Sequence, residues 1–244
     1  MSYPVKHPTF LIETLGCKVN QYESELMRKL LNKAGFVEAD YRKKADLCII
    51  NSCTVTSKAD RDARNLINRF HRANPSGKIL IAGCLAETRR DRNFLETMPG
   101  VAALIRNSEK GNIGVVIKEL FPAKPVRDKS GPVDPETRLH NNRNRAFLKI
   151  QDGCDHRCSY CKVRLVRGDS RSRPKEEILR EVQQLIDRGF KEIVLSGICL
   201  GAWKEKSNRL PALIKDICQI AGEYRIRLSS IEPLYVTDSL MQVI

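Results

Sequence analysis

Four short apolar runs, TFLIETLG (9–16), ADLCIIN (45–51), KILIAG (78–83) and AALIRN (102–107), alternate with amphipathic stretches in the first half of the chain. That alternation predicts a parallel α/β sheet, because parallel neighbours need a helical crossover between them. The first helix is expected to open at Asn20, with Glu23 three places on as a capping box, and to close at Gly35; Tyr22, Leu26, Leu30 and Ala34 share a face. The second is expected over residues 57–73. It would bury Ala59, Ala63, Leu66, Ile67 and Phe70 and expose Lys58, Arg61, Arg64, Arg69 and Arg72, one side core and the other cationic.

Residues 122–145 carry Pro and Gly punctuation with almost no apolar periodicity, which reads as a linker between a domain at 1–121 and another at 146–244. The second domain is again α/β. AFLKIQ is a strand, Pro174 opens a helix in which Ile178, Val182, Leu185 and Ile186 repeat before Gly189, and KEIVLSG is the next strand. LPALIKDICQI then reads as a helix and RIRLSSI as a third strand.

No run approaches the ~18 apolar residues of a spanning helix, and the start MSYPVKHPTF lacks the apolar stretch of a signal peptide, so the expectation is a cytoplasmic protein without a membrane partner. In that reducing compartment nine cysteines point away from a disulfide framework and towards metal or redox chemistry. Lys and Arg total 43 against 29 Asp and Glu, and the resulting charge of +14 suits a polyanionic partner such as nucleic acid.

Six cysteines form two trios. LGCKVN, NSCTVT and AGCLAE place Cys17, Cys53 and Cys84 each just after a strand, and parallel strands share the C-terminal edge at which α/β sheets bind ligands. Each leads towards a helix start, where free amide groups favour anionic ligands. The second trio is local: GCDHRCSYC carries Cys154, Cys158 and Cys161 in the loop after AFLKIQ. Three thiolates can hold three corners of a tetrahedral ion or of a cubane cluster. For structural zinc the completing Cys pair is absent; His156 is the available fourth ligand but falls between two of the cysteines. Cys48, inside an apolar run, and Cys218, on the apolar side of its helix, read as core, while Cys199, just after a strand, is ambiguous.

The C-x3-C-x2-C spacing after the first strand of the second domain, with an aromatic before the last cysteine, resembles the radical S-adenosylmethionine (SAM) enzymes. Together with TLGCKVNQYESE, NSCTVT, AGCLAE, RSRP and RLSSIEP, it is similar to the MiaB-type methylthiotransferases and specifically their MtaB branch. The resemblance implies an N-terminal parallel-sheet α/β methylthiotransferase domain followed by the first half of a radical SAM partial (βα) barrel. It implies two 4Fe-4S clusters, an auxiliary one on Cys17, Cys53 and Cys84 and a SAM-cleaving one on Cys154, Cys158 and Cys161. Tyr160 would pack by the adenine of SAM, and Gly197, Ser229 and Glu232 fall where family members approach that cofactor. The implied reaction adds a methylthio group to C2 of N6-threonylcarbamoyladenosine beside the tRNA anticodon, with SAM as methyl and radical source and with an external electron donor and a sulfur donor. No catalytic residue is implied beyond the cluster ligands. The Arg face of helix 57–73, with Arg164, Arg167, Arg171 and Arg173, supplies phosphate-contact candidates.

The chain departs from the family at Lys162, Val163 and Arg164, where apolar residues and a proline usually follow the last cysteine. Only three βα units are legible in the barrel and no C-terminal TRAM module is present, so the expectation is a fragment or an impaired enzyme, monomeric when complete. Modification of a ribosomal protein and a noncatalytic metal- or RNA-binding role are the alternative functions.

Overall fold

The structure, a computed structural model, describes residues 7–40, 44–122 and 144–244. Most of the linker assigned to 122–145 lies outside the described residues. The chain divides into two compact units, residues 1–137 and 138–244.

In the first unit the order is β1 (Thr9–Thr14), α1 (Lys18–Lys33), β2 (Val37–Glu38), β3 (Leu47–Ser52), α2 (Ser57–Ala73), β4 (Lys78–Gly83), α3 (Arg89–Glu96), β5 (Val101–Ile105) and α4 (Ile113–Leu120). The strands form one sheet, β2-β1-β3-β4-β5, parallel throughout. Alternation along each strand sends residues to opposite faces. Leu47, Ile49 and Leu80 join Met27, Leu31, Ile113 and Ile117 in one core. Cys48, Ile50, Ile79 and Ile81 join Ala63, Ile67 and Leu95 in the other. At about 1.5–3 kcal/mol for each fully buried large aliphatic side chain, these two layers are the main support of the sheet edge.

The span of α2 is the one read from the sequence, and its five cationic residues are exposed as expected. The reading of α1 needs correction. It begins at Lys18 with Cys17 as N-cap, so Asn20 and Glu23 lie inside the helix and are buried rather than forming a capping box. Its buried stripe is Val19, Asn20, Glu23, Ser24, Met27 and Leu31, and Tyr22, Leu26, Leu30 and Ala34 flank it half-buried. The helix closes as expected at Gly35: the Gly35 amide donates to Asn32 O and the Phe36 amide to Leu31 O, a Schellman pair.

The second unit runs β6 (Arg145–Lys149), β7 (Gln151–Asp152), α5 (Val163–Arg167), β8 (Arg171–Ser172), α6 (Lys175–Asp187), β9 (Glu192–Ser196), β10 (Lys204–Glu205), β11 (Asn208–Arg209), α7 (Leu210–Cys218), β12 (Arg225–Leu228) and α8 (Asp238–Met241). Here β6, β9 and β12 pair parallel in chain order, each strand beside its predecessor, as in a segment of a (βα) barrel. Ile178, Val182 and Leu185 of α6 and Leu213, Ile214 and Ile217 of α7 are buried with Ile193, Val194 and Leu195 of β9. Cys218 is exposed, against the core expectation, because it lies one position past the Leu210, Leu213, Ile214 and Ile217 stripe. Cys48 is buried as expected, and burial pushes its thiol well above the usual range.

Candidate functional site

The first trio sits on the C-terminal edge of the five-stranded sheet. Cys17 caps α1 just after β1, Cys53 follows β3, and Cys84 opens a 3-10 turn (Cys84–Ala86) directly after β4. The strand order reverses direction between β1 and β3, the switch point at which such sheets open a crevice for ligands. Cys17 is exposed, Cys53 half-buried and Cys84 buried.

A buried polar lattice ties these loops together. Asn20 Nδ2 donates to Leu15 O at 2.7 Å and Ser52 O at 3.0 Å, joining the approaches to Cys17 and Cys53. Asn51 Nδ2 donates to Asn20 O and Ser24 Oγ, and Ser52 Oγ donates to Ala82 O at 2.7 Å while accepting from the Leu85 amide. Asn107 Nδ2 lies 3.6 Å from Cys84 Sγ. Three residues on, Lys110 pairs with Glu23 of α1, both side chains within a few per cent of full burial. Gly16, at φ +103, completes the approach: a Cβ there would sit 2.6 Å from Cys53 Cβ and 3.1 Å from its sulfur.

The second trio is held by a short loop. Its root, Gly153, has φ +70, and a Cβ would come within 2.0 Å of Asp169 O. The Gly153 amide donates to Asp152 Oδ1 at 2.9 Å, the Cys154 amide to Gly168 O at 3.1 Å, and the Cys161 amide to Cys158 O at 3.1 Å. Asp155 Oδ1 accepts from the Ser170 amide at 2.8 Å. Gln151, buried below the loop, donates to Gly153 O and Ser170 Oγ and accepts from the Cys199 amide at 2.8 Å. Cys158 is exposed and Cys154 and Cys161 half-buried. Lys162, Val163 and Arg164, the departure from the family pattern, form the start of α5.

The remaining site candidates separate. Tyr160 is 88% exposed. Gly197 packs against Gln151, where a Cβ would meet Oε1 at 2.9 Å. The Ser229 amide donates to Leu195 O, continuing the ladder past β12. Glu232 Oε2 accepts from Cys199 Sγ at 3.6 Å. Of the four arginines, Arg167 is corrected: it is buried and turned onto Asp152 at 3.1 Å, so it braces the loop instead of offering its charge to phosphate. Arg173 is half-buried, donating to Lys149 O and pairing with Glu181 at 2.9 Å. Arg171 is exposed, and Arg164, part-exposed, pairs with Asp169 at 3.0 Å.

Sequence reasoning missed one convergence. Among the described residues, the ligating atoms of Cys154, His156 and Cys199 all lie within 4.8 Å of one another. Cys199 is buried, which pushes its thiol up to about 12 despite a hydrogen bond from Tyr235. Tyr235 Oη lies 3.3 Å from His156 Nε2. A cysteine directly after a strand was the available signal, but its partner loop becomes visible only with the sheet order.

Residues 9–105 match uncharacterized protein family UPF0004, and residues 148–242 match the radical SAM superfamily. A solved structure of the radical S-adenosylmethionine methyltransferase TsrM from Kitasatospora setae, with cobalamin and a 4Fe-4S cluster bound, has a TM-score of 0.52 at 12% identity, over 86% of this chain and 52% of that one. At that identity the likeness concerns the fold alone; the class, a radical SAM region preceded by a parallel α/β unit, comes from the family match and the sheet topology. Threonylcarbamoyladenosine tRNA methylthiotransferase MtaB of Chlamydia pneumoniae is 38% identical over 239 residues, 97% of this chain and 54% of that protein. The protein of the same description from Bacillus subtilis is 35% identical, again over 97% of this chain and 54% of its own length. The chain thus carries a UPF0004 region and a radical SAM region, and over nearly its whole length it is similar to tRNA methylthiotransferases described as MtaB. It spans about half the length of the curated relatives it matches.

Proposed function

We propose that the chain is the cluster-bearing part of a tRNA methylthiotransferase acting at C2 of N6-threonylcarbamoyladenosine. The observation that carries this reading is the pair of thiol trios, each beyond the C-terminal end of a parallel strand in its own unit. Soft thiol donors in sets of three suit an iron–sulfur cluster with one open iron. Gly16, where a side chain would strike Cys53, and Gly153, where it would strike the Gly168–Asp169 turn that anchors the Cys154 amide, support the same fit.

Cys17, Cys53 and Cys84 would hold the auxiliary 4Fe-4S cluster, and Cys154, Cys158 and Cys161 the one that binds SAM. When bound, these groups supply the sulfur and the carbon radical that an aryl C–H bond, lacking an acidic proton, requires. The chain's own residues supply position. Asn20 and the Lys110–Glu23 pair fix the first set of loops, and Gln151 with the Arg167–Asp152 pair fixes the second. Tyr160, Gly197, Ser229 and Glu232 are assigned to the SAM side of the second unit. Arg164 and Arg171, with Lys58, Arg61, Arg64, Arg69 and Arg72 of α2, offer exposed or part-exposed charge to RNA phosphates, in keeping with the net +14. An electron donor and a sulfur donor act from outside, in the cytoplasm; among the described residues no helix is long and apolar enough to cross a membrane.

Anaerobic reconstitution with iron and sulfide is expected to load about eight irons per chain. Addition of SAM, dithionite and threonylcarbamoylated tRNA should then give 5′-deoxyadenosine and a methylthio nucleoside by mass spectrometry. Zinc at both trios, or iron loading without SAM cleavage, would contradict the reading.

A further inference from the structure

We propose that a cavity in the second unit receives the threonylcarbamoyl group of the modified adenosine, with Lys204 and Arg209 holding its carboxylate. The cavity measures about 450 Å³ and lies among the loop after β7, the turn after β9, the β10–β11 hairpin, the start of α7 and the segment around α8. The assignment rests on the substrate reading given above.

The hairpin supplies the first observation. In its antiparallel register Lys204 stands directly opposite Arg209, so two cationic side chains leave the same face of the ribbon. Like charges directly across a strand pair repel. Both are exposed, and among the described residues neither has an ion-pair partner: Arg209 donates only to Lys206 O and Asn208 O, at 3.1 and 3.0 Å. The hairpin's acid, Glu205, falls on the other face by alternation and accepts from the Lys175 amide at 3.1 Å. An anion between Lys204 and Arg209 would remove the repulsion.

The other walls say which anion. Asp155 Oδ1 accepts from the Ser170 amide at 2.8 Å, which fixes that carboxylate and leaves its second oxygen to accept from a hydroxyl or an N–H. Ser170 Oγ accepts from Gln151 Nε2 at 3.0 Å and keeps its own proton to donate. Ala202, Leu210 and Pro211 make an apolar side. A backbone phosphate has no proton to give Asp155 and is repelled by it. A threonylcarbamoyl group carries a carboxylate, a hydroxyl, N–H groups and a methyl, one feature for each wall.

The position agrees with the proposed reaction. Asp155 follows Cys154 in the chain, and Tyr235, which also lines the cavity, has its Oη 3.3 Å from His156 Nε2, so the cavity adjoins the loop of the second trio. Gly201 permits that wall, since a Cβ there would fall 2.3 Å from Tyr235 Cβ and push the ring away.

The test measures binding of the free nucleoside N6-threonylcarbamoyladenosine to the full chain, reconstituted with iron and kept anaerobic, by equilibrium dialysis. Its methyl ester is the control. The acid is expected to bind at least about tenfold more tightly than the ester, in line with the worth of a charged hydrogen bond. Lys204→Gln and Arg209→Gln, both on the exposed hairpin, should each weaken the acid by a similar factor and leave the ester as it was, a split that a folding defect would not produce. Equal affinity for acid and ester, loss of both ligands in the two variants, or no binding of the acid to the parent chain would overturn the proposal. So would an equal loss of affinity for modified and unmodified anticodon stem-loops in the variants, which marks a contact to backbone phosphate. Charge-dependent binding of the acid by a chain that cleaves no SAM would contradict the proposed reaction and leave the cavity's assignment standing. Methylthiolation of tRNA with the same KM in the parent, Lys204→Gln and Arg209→Gln chains would do the reverse.

Discussion

The two cysteine trios are assembled by opposite means. Cys17, Cys53 and Cys84 come from three loops that meet only because β1, β3 and β4 are adjacent in a parallel sheet, and a buried polar lattice fixes their spacing. Cys154, Cys158 and Cys161 share one loop, held by Gly153 and hydrogen bonds to residues close in sequence. The first site is a product of tertiary structure and the second of local structure. A tertiary site should fail when distant packing or pairing fails, whereas a local one should fail only when its own turn is altered.

The largest expected effect that would sharpen this contrast comes from Lys110→Ala. It removes the buried cation that pairs with the Glu23 carboxylate, a loss of about 3–5 kcal/mol, and urea unfolding should show it in the first unit. Iron bound by the first trio should fall while that of the second persists. Gly153→Ala is the converse experiment. With φ +70 and a contact of 2.0 Å to Asp169 O, the added methyl forces the loop open at a cost of about 2–4 kcal/mol, and only the second trio should lose iron. Asn20→Ala removes two bonds from a buried donor and should cost about 1–3 kcal/mol, seen as faster chelator removal of iron from the first trio alone. If Lys110→Ala and Gly153→Ala each emptied both sites, the contrast would be broken.

The smallest effect is chemical. In the folded, metal-free chain at pH 8, iodoacetamide should modify Cys17, Cys158 and Cys218, which are exposed, and spare Cys48 and Cys199, whose burial raises their thiols. Peptide mapping that found Cys48 or Cys199 labelled at the same rate would contradict their placement.

The same division explains what could be read in advance. The bounds of α2 follow from a 3.6-residue apolar period with charges on the other face, and the cysteines stand after strands because the apolar runs end there. The start of α1 was misread because Asn20 and Glu23 mimic a capping pattern while serving the buried lattice, a use that depends on Ser52 and Lys110 far along the chain. Arg167 offered no local sign of its turn onto Asp152, since a basic residue beside a cysteine loop looks the same whether it faces water or the core. The approach of Cys199 to Cys154 and His156 needed the β6-β9-β12 order, which no window of sequence contains.

Iron analysis with Mössbauer spectroscopy of the anaerobically reconstituted chain tests the central claim most directly. The expected result is about eight irons as two cubane clusters, halved in the Cys17→Ser/Cys53→Ser/Cys84→Ser variant and halved in the Cys154→Ser/Cys158→Ser/Cys161→Ser variant. A single cluster that disappears with either triple substitution, or no cubane signal in the parent chain, would contradict two independent sites.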